Sequence, residues 1–265
     1  MAIDLSAIKK TKGLGNPPMI CIHGTAGVGK TTFASKSPSP IFIQTEKGEG
    51  LLKFDTFNFG PEGIATRYKQ VIEAIQSLVA NEHNYRTLVI DSIDHLEQLI
   101  WVDVCEKGNK NTIDQFGWQE GYNNAALEWR VFLRGLTDLR IKKNMNIVLI
   151  AHSQQRKIED PEYGQLDRHD LKLHHKSASV VAEVVDCVFF AKHKINVRKE
   201  DKGFGATRNR GIDTGERVLV TTGGPHFLAK NRYNLPNELN LSWDSYMAAL
   251  QEAHNPKKEE KAANG

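Results

Sequence analysis

The sequence predicts an α/β protein built on a mostly parallel, doubly wound β-sheet. Short apolar runs alternate along the chain with longer segments whose apolar residues recur at helical spacing. The run 146–151 shows no alternation of apolar and polar residues, which is typical of a strand buried on both faces of a sheet. In such sheets ligands gather at the carboxyl ends of the strands, so a functional site is expected at that edge.

Composition limits the class of protein. The chain has 265 residues, 40% hydrophobic and 25% charged, which fits one large soluble α/β domain. The net charge of +3 means that any polyanion-binding site must be local. Three scattered cysteines favour a reducing cytoplasm, and no apolar stretch is long enough to suggest a membrane segment. We divide the chain into an N-terminal extension (1–17), one domain (18–254) and a disordered tail (255–265).

The predicted elements follow one another in an order that suits this fold. Strands are predicted over 19–23, 41–43, 87–90 and 146–151. Helices are predicted from residue 29 to the prolines near 38, and over 62–81, 92–107 and 125–142. A C-terminal β extension follows, with strands over 185–191, 193–198, 217–222 and 227–230 and with helices over 177–184 and 242–253. Residues 153–170 and 202–215 are predicted to be long loops.

A glycine-rich motif, GTAGVGKTT, lies between the first strand and the first helix and fits the pattern G-x-x-x-x-G-K-[ST]. Its glycines allow a tight turn whose N–H groups can surround an anion, and the helix adds its positive end. Lys30 is expected to reach the β- and γ-phosphates of ATP, and Thr31 to hold Mg²⁺. The alternative is a chance glycine-rich turn. The predicted nucleotide-binding residues are Gly24, Thr25, Ala26, Gly27, Val28, Gly29, Lys30, Thr31 and Thr32.

Two acidic residues near strand ends extend this prediction. Asp91 is expected to hold Mg²⁺ through a bound water opposite Thr31, although Asp also favours the cap of a following helix. Hydrolysis further needs a group that positions or activates water. Glu46, after the second strand, is the best candidate, and the alternative is a surface glutamate in a turn.

The order of these motifs resembles the core of RecA-type recombinases over roughly residues 17 to 240. In that family the second strand ends in a catalytic Glu, as IFIQTE does at Glu46, and the Walker B strand ends in Asp-Ser, as LVIDS does at Asp91. A later strand ends in a residue that senses the γ-phosphate and begins a DNA-binding loop. LIAH places His152 there, where RecA has Gln. The resemblance implies a RecA-like P-loop NTPase core with ATPase activity over residues 18–254.

A C-terminal segment extends the resemblance. Ala229-Lys230-Asn231-Arg232, shortly before Pro236, is similar to a Lys-Asn-Lys segment with which RecA reaches the ATP of a neighbouring subunit. The resemblance therefore implies catalytic roles for Lys230 and Arg232 in a homo-oligomer. Residues at i and i+2 of an extended strand project to the same face, so these two cations can meet one ligand. The alternative is a pair of surface cations on an edge strand.

Within this superfamily the chain most resembles small phage-encoded ATP-binding proteins, which include single-strand annealing recombinases. The resemblance implies DNA recombination or annealing on single-stranded DNA with DNA-stimulated ATP hydrolysis. It places the protein in the host cytoplasm if phage-encoded, with a single-strand DNA-binding protein as a further partner. Three rivals stay open: a replication-associated motor or loader, a small-molecule kinase and a regulatory nucleotide-binding module.

Two polar segments are expected to contact DNA, since cations meet phosphates and aromatic rings stack on unpaired bases. The alternative for their aromatic residues is a role as core anchors. The expected contacts in 107–124 are Lys110, Phe116, Trp118 and Tyr122, and those in 153–168 are Gln154, Gln155, Arg156, Lys157 and Tyr163.

Overall fold

A central β-sheet with helices on both faces organises the protein. The computed structural model describes residues 15–48, 50–201 and 207–254, and it describes only the backbone of 196–201 and 207–213. Within these residues, ten strands belong to the sheet: β1 (Met19–Gly24), β2 (Pro40–Gln44), β3 (Asp55–Thr56), β4 (Thr87–Asp91), β5 (Asn146–Asp160), β6 (Gly164–Leu171), β7 (Cys187–Asp201), β8 (Thr207–Val220), β9 (Lys230–Asn231) and β10 (Glu238–Asn240).

The helices lie between the strands in sequence, as predicted. In the described part of the chain they are α1 (Lys30–Ser35), α2 (Tyr68–Ala80), α3 (Ile93–Lys107), α4 (Glu120–Lys143), α5 (His175–Val184) and α6 (Trp243–His254). Two 3₁₀ turns, Ile113–Gln115 and Gly117–Gln119, precede α4. None of the described helices combines the length and the apolar character needed to cross a membrane.

The strand order is β10-β8-β7-β1-β5-β4-β2-β3. Neighbouring strands from β7 to β3 pair in parallel, whereas β8 and β10 are antiparallel additions beyond β7. This arrangement confirms the predicted mostly parallel sheet with a C-terminal β extension.

Alternate residues of the central strands face two separate apolar layers. In β4, Leu88 and Ile90 pack with α2, α3, α4 and α5, whereas Val89 packs with α1 and α6. All three side chains are fully buried. A strand whose two faces both carry apolar residues requires cover on both sides, and the helices provide it. The doubly wound arrangement is therefore confirmed.

The prediction of a structureless loop over 153–170 is wrong. β5 continues past the core to Asp160 and pairs antiparallel with β6, from Ser153 opposite Leu171 to Asp160 opposite Gly164. The turn ends on Gly164 at φ +71°, a conformation that glycine adopts without strain. Because this ribbon extends beyond the core, its strands lack the apolar runs on which the prediction relied.

The predicted loop over 202–215 is also wrong from residue 207 onward. β8 begins at Thr207, which pairs with Asp201 of β7 in a second long antiparallel ribbon. The predicted strand over 227–230 is reduced to β9, which covers only Lys230–Asn231. Residues 1–14, 202–206 and 255–265 lie outside the described part of the chain, so the predicted N-terminal extension and disordered tail remain predictions.

The fold predicts that substitutions at two neighbouring residues of α4 lower the free energy of unfolding by different amounts. Phe132 is fully buried and Val131 is 52% exposed. Phe132→Ala should lower the free energy of unfolding by about 3–5 kcal/mol because it leaves a cavity. Val131→Ala should change it by no more than about 0.5 kcal/mol. Urea unfolding measures both values, and equal losses would contradict the described burial of this helix face.

Candidate functional site

The glycine-rich motif forms a loop from the end of β1 to the start of α1. A Cβ atom at Gly24 would lie 2.4 Å from the carbonyl oxygen of Ala191 in β7, so a side chain there would force the two strands apart. Gly27 and Gly29 have φ values of +76° and +109°. Glycine is favoured at both positions because a side chain strains this backbone conformation. The local backbone therefore explains all three glycines.

Lys30 lies within this loop and is only 6% exposed. Its Nζ donates hydrogen bonds to the carbonyl oxygens of Gly24, at 3.0 Å, and Thr25, at 2.9 Å. Burial lowers the pKa of Lys30, while the nearby carboxylates of Asp91 and Glu46 act in the opposite direction. The loop thus holds a buried cation where an anionic ligand can meet it.

The Thr31 hydroxyl donates a 2.8 Å hydrogen bond to Oδ2 of Asp91. Asp91 ends β4 and is 7% exposed, and burial raises its pKa to about 6 despite the bond from Thr31. A hydroxyl oxygen beside a carboxylate oxygen is a donor pair that suits Mg²⁺. The two residues therefore fit the predicted metal role, and a bound cation would stabilise the ionised form of Asp91.

Glu46 follows β2 and lines the same cavity as Lys30 and Asp91. Its Oε2 lies 3.2 Å from Nδ1 of His95, and its Oε1 lies 3.8 Å from Nδ1 of His152. The Glu46 side chain is 24% exposed. It therefore lies at the rim of the cavity in contact with two histidines, where a carboxylate can accept a proton from water.

His152 pairs with Gly24 across β5 and β1, and its side chain lines the cavity. Its backbone N–H and its Nδ1 both bond to Asp94 of α3, each at 3.0 Å. The bond to Asp94 raises the pKa of His152. Burial would raise the pKa of Asp94, but the bonds from His152 outweigh it and lower this pKa to about 2. The imidazole is thus oriented by a buried carboxylate.

These groups surround a cavity of about 330 Å³ at the carboxyl edge of the sheet. The cavity brings together most of the predicted site residues. Its lining comprises Ala26, Gly27, Gly29, Lys30, Thr31, Thr32, Glu46, Lys47, Gly48, Leu52, Asp91, His152 and Arg217. Together with the strand order, this loop and its partners confirm the predicted RecA-like P-loop NTPase core.

The prediction from sequence missed Arg217, which lies in β8. Its Nη1 donates to the carbonyl oxygen of Val28 at 3.3 Å, which brings the guanidinium against the phosphate loop. It also missed Asp94 and His95, which come from the first turn of α3. Of these three residues only Asp94 had a signal in the sequence, because it is an acidic residue in the first turn of a predicted helix.

Lys230 and Arg232 do not line this cavity. Lys230 Nζ donates to the carbonyl oxygens of Ala182, Glu183 and Val185, at 2.6, 3.0 and 2.8 Å. Nη2 of Arg232 donates to the carbonyl oxygen of Glu183 at 2.8 Å. In its own subunit this pair therefore binds the last carbonyls of α5, which lack partners within the helix. The role that we predicted in a neighbouring subunit stays a prediction.

The aromatic residues predicted to contact DNA differ in exposure. Trp118 is fully exposed, with φ +51°, and Tyr163 in the β5–β6 turn is 65% exposed. Tyr122 instead stacks on His174 at a ring distance of 4.1 Å and donates to Asp114. Trp118 and Tyr163 therefore present ring faces to solvent, whereas Tyr122 serves as an anchor.

Similarity to known proteins places the chain in one family. No curated protein matches the sequence. Among solved structures, the crystal structure of the RadB recombinase is similar, with a TM-score of 0.44 and 14% sequence identity over 87% of this chain and 91% of that chain. A family model described as AAA domain matches residues 16–233. Because this match spans more than half of the sequence, the chain belongs to this AAA domain family.

Proposed function

We propose that the protein is a Mg²⁺-dependent ATPase of the RecA-like type that acts on single-stranded DNA in recombination or annealing. The observation that carries the proposal is the convergence of Lys30, the Thr31–Asp91 pair and Glu46 on one cavity. These are the cation, the metal donors and the carboxylate that phosphoanhydride hydrolysis needs.

In this proposal the loop N–H groups and Lys30 hold the β- and γ-phosphates, and Thr31 and Asp91 hold Mg²⁺, which neutralises charge on the phosphates. Glu46 orients the attacking water and accepts its proton. Arg217 lies against the phosphate loop in the same subunit and would add a second cation to the polyphosphate. Arginine suits this role because its planar fork can bridge two phosphate oxygens.

The position of His152 supports a coupling between the binding of ATP and the binding of DNA. It lies in the cavity, and the strand that carries it continues without interruption to the turn that bears Tyr163. The eight residue steps from His152 to Asp160 span roughly 26 Å at about 3.3 Å per step. A shift of His152 on binding the γ-phosphate would therefore act on the base of the β5–β6 ribbon. Homo-oligomerisation, a single-strand DNA-binding protein as partner and a location in the host cytoplasm belong to the same proposal.

The first test concerns hydrolysis. Glu46→Gln should lower the rate of DNA-stimulated ATP hydrolysis by roughly 10²–10⁴-fold while ATP still binds, because the amide cannot accept the proton of water. Glu73→Gln is the matched control, since Glu73 pairs with Lys69 on the surface of α2 and does not line the cavity. Phosphate release measures turnover and calorimetry measures ATP binding. A Glu46→Gln rate close to that of the parent would remove Glu46 from the mechanism.

The second test concerns DNA. Trp118→Ala and Tyr163→Ala should each weaken binding to oligo(dT) by about 1–3 kcal/mol, because each removes a ring that can stack on a base. Ile141→Ala is the control. It removes an exposed apolar side chain from α4, outside both predicted DNA-binding segments, and should leave the affinity for oligo(dT) unchanged. Fluorescence anisotropy at several salt concentrations measures the affinity, which should fall steeply with salt. The absence of single-strand binding at low salt, with or without nucleotide, would favour the loader or the kinase.

The third test concerns the subunit interface. A Lys230→Ala, Arg232→Ala protein and a Lys30→Ala protein, each inactive alone, should partly restore ATPase when mixed. Mixed interfaces then pair an intact phosphate loop with intact cations, and a cation supplied in trans is worth about 10³-fold or more in rate. Mixing Glu46→Gln with Lys30→Ala is the control, since both changes damage the site of their own subunit.

Light scattering must show that the mixed variants assemble. If they assemble without restoring activity, and the double variant is less stable to urea, Lys230 and Arg232 serve only the end of α5.

A further inference from the structure

Glu46, His95 and His152 bring three metal-ligating side chains together at the rim of the cavity. One ligand atom from each lies within 4.8 Å of the other two. Nδ1 of His95 lies 3.2 Å from Oε2 of Glu46. Ligand atoms about 2.0–2.2 Å from a tetrahedral zinc ion are separated by roughly 3.3–3.5 Å. The three ligand atoms lie within 4.8 Å of one another and must therefore draw closer to share one ion.

This cluster differs in chemistry from the Thr31–Asp91 pair. That pair offers only oxygen atoms, which hard cations such as Mg²⁺ prefer. Two imidazoles with one carboxylate instead favour zinc and its neighbours among the transition metals. Glu46 and His152 line the same cavity as the Thr31–Asp91 pair, but the two donor sets select different ions.

The surroundings of the cluster hold its ligands in place. Asp94, whose side chain is 3% exposed, bonds to the backbone N–H and to Nδ1 of His152. Metal-binding histidines almost always have one ring nitrogen bonded to a carboxylate, carbonyl or water, which orients the ring and leaves the other nitrogen for the metal. Nδ1 of His95, which faces Glu46, lies 2.9 Å from Ser92 Oγ, so the Ser92 hydroxyl must release this nitrogen before it binds an ion. His152 lies within β5, His95 in the first turn of α3 and Glu46 two residues after β2, so regular structure supports the backbone of the cluster.

We propose that Glu46, His95 and His152 form a binding site for a transition-metal ion of the Zn²⁺ class, separate from the Mg²⁺ site. Three protein ligands leave a fourth position for water. The second part of the proposal rests on the proposed function of Glu46. A carboxylate bound to zinc no longer accepts a proton from water, so zinc inhibits hydrolysis while the phosphate loop still binds ATP.

The first experiment measures metal binding without nucleotide. The full-length protein is freed of metal with EDTA and titrated with Zn²⁺ by calorimetry and with Co²⁺ by absorption spectroscopy. One ion per chain should bind, and His95→Ala should weaken its affinity about tenfold or more, since it removes a ligand. Asp94→Asn should weaken it about 10–100-fold, the usual effect of losing a group that orients a ligand. His254→Ala, which removes an exposed histidine at the end of α6, is the matched control.

Two results would overturn the site. One is the absence of stoichiometric Zn²⁺ binding by the parent protein, and the other is equal loss of affinity in His95→Ala and His254→Ala, which indicates scattered surface histidines. If Asp94→Asn fails to fold, His95→Ala decides the question, because the His95 side chain is 36% exposed and its removal disturbs the core little.

A second experiment separates this site from the proposed function. The rate of ATP hydrolysis at fixed Mg²⁺ is measured with and without Zn²⁺, and each variant is compared with its own zinc-free rate. Zinc should inhibit the parent and the His254→Ala variant about tenfold or more but not the His95→Ala variant. If zinc binds but does not inhibit ATP hydrolysis, the proposal that zinc binds the Glu46 carboxylate is wrong. Zinc binding in a protein that never hydrolyses ATP would instead contradict the ATPase and leave the metal site standing.

Discussion

In the central sheet β1 lies between β5 and β7, with Gly24 paired to His152 on one side and to Ala191 on the other. The absence of a side chain at Gly24 lets β7 approach closely, since a Cβ atom there would meet the Ala191 carbonyl at 2.4 Å. This parallel register places the start of the phosphate loop, His152 and, through β4, Asp91 at one edge of the sheet. The remaining groups of the site are arranged around that edge.

One buried cation and three carboxylates meet at this edge. Lys30 is the central cation, and Asp91, Asp94 and Glu46 all favour its charged form. Burial works against ionisation at Lys30 and at Asp91, so both groups gain from a partner of opposite charge. A polyphosphate with a divalent cation supplies both partners together. The electrostatics of the site therefore favour the same ligand as the geometry of the loop.

Two antiparallel ribbons connect this edge with the periphery. The β5–β6 ribbon begins beside His152, and β8 brings Arg217 from the second ribbon against the phosphate loop. In each ribbon the residue at the site and the distal paired residues lie on one continuous strand, β5 or β8. The end of α5 is held separately by Lys230, whose ammonium group binds two of its terminal carbonyls and the carbonyl of Val185, which follows the helix. That contact supports the helix and joins the C-terminal segment to the sheet.

The sequence by itself determined the central strands and the phosphate loop. Their signals are local, because a buried parallel strand must be apolar throughout and a nest of N–H groups needs glycines at set intervals. For the same reason Lys30, Thr31 and Asp91 could be placed from motifs. The β5–β6 ribbon could not, since its polar strands are stabilised by pairing with each other rather than by burial, although Gly164 after Asp160-Pro161 was a turn signal.

Only the tertiary structure decided which distant residues meet. Arg217 is 189 residues from Val28, yet its guanidinium bonds to the carbonyl of that residue. The family resemblance implied that Glu46 and His152 belong to one site, but no spacing along the chain marks His95 as their neighbour. The contacts of Lys230 with α5 likewise depend on the pairing of β9 with β7. Such contacts depend on sheet register and helix packing, which involve the whole chain, whereas a motif records only the residues within one turn or strand.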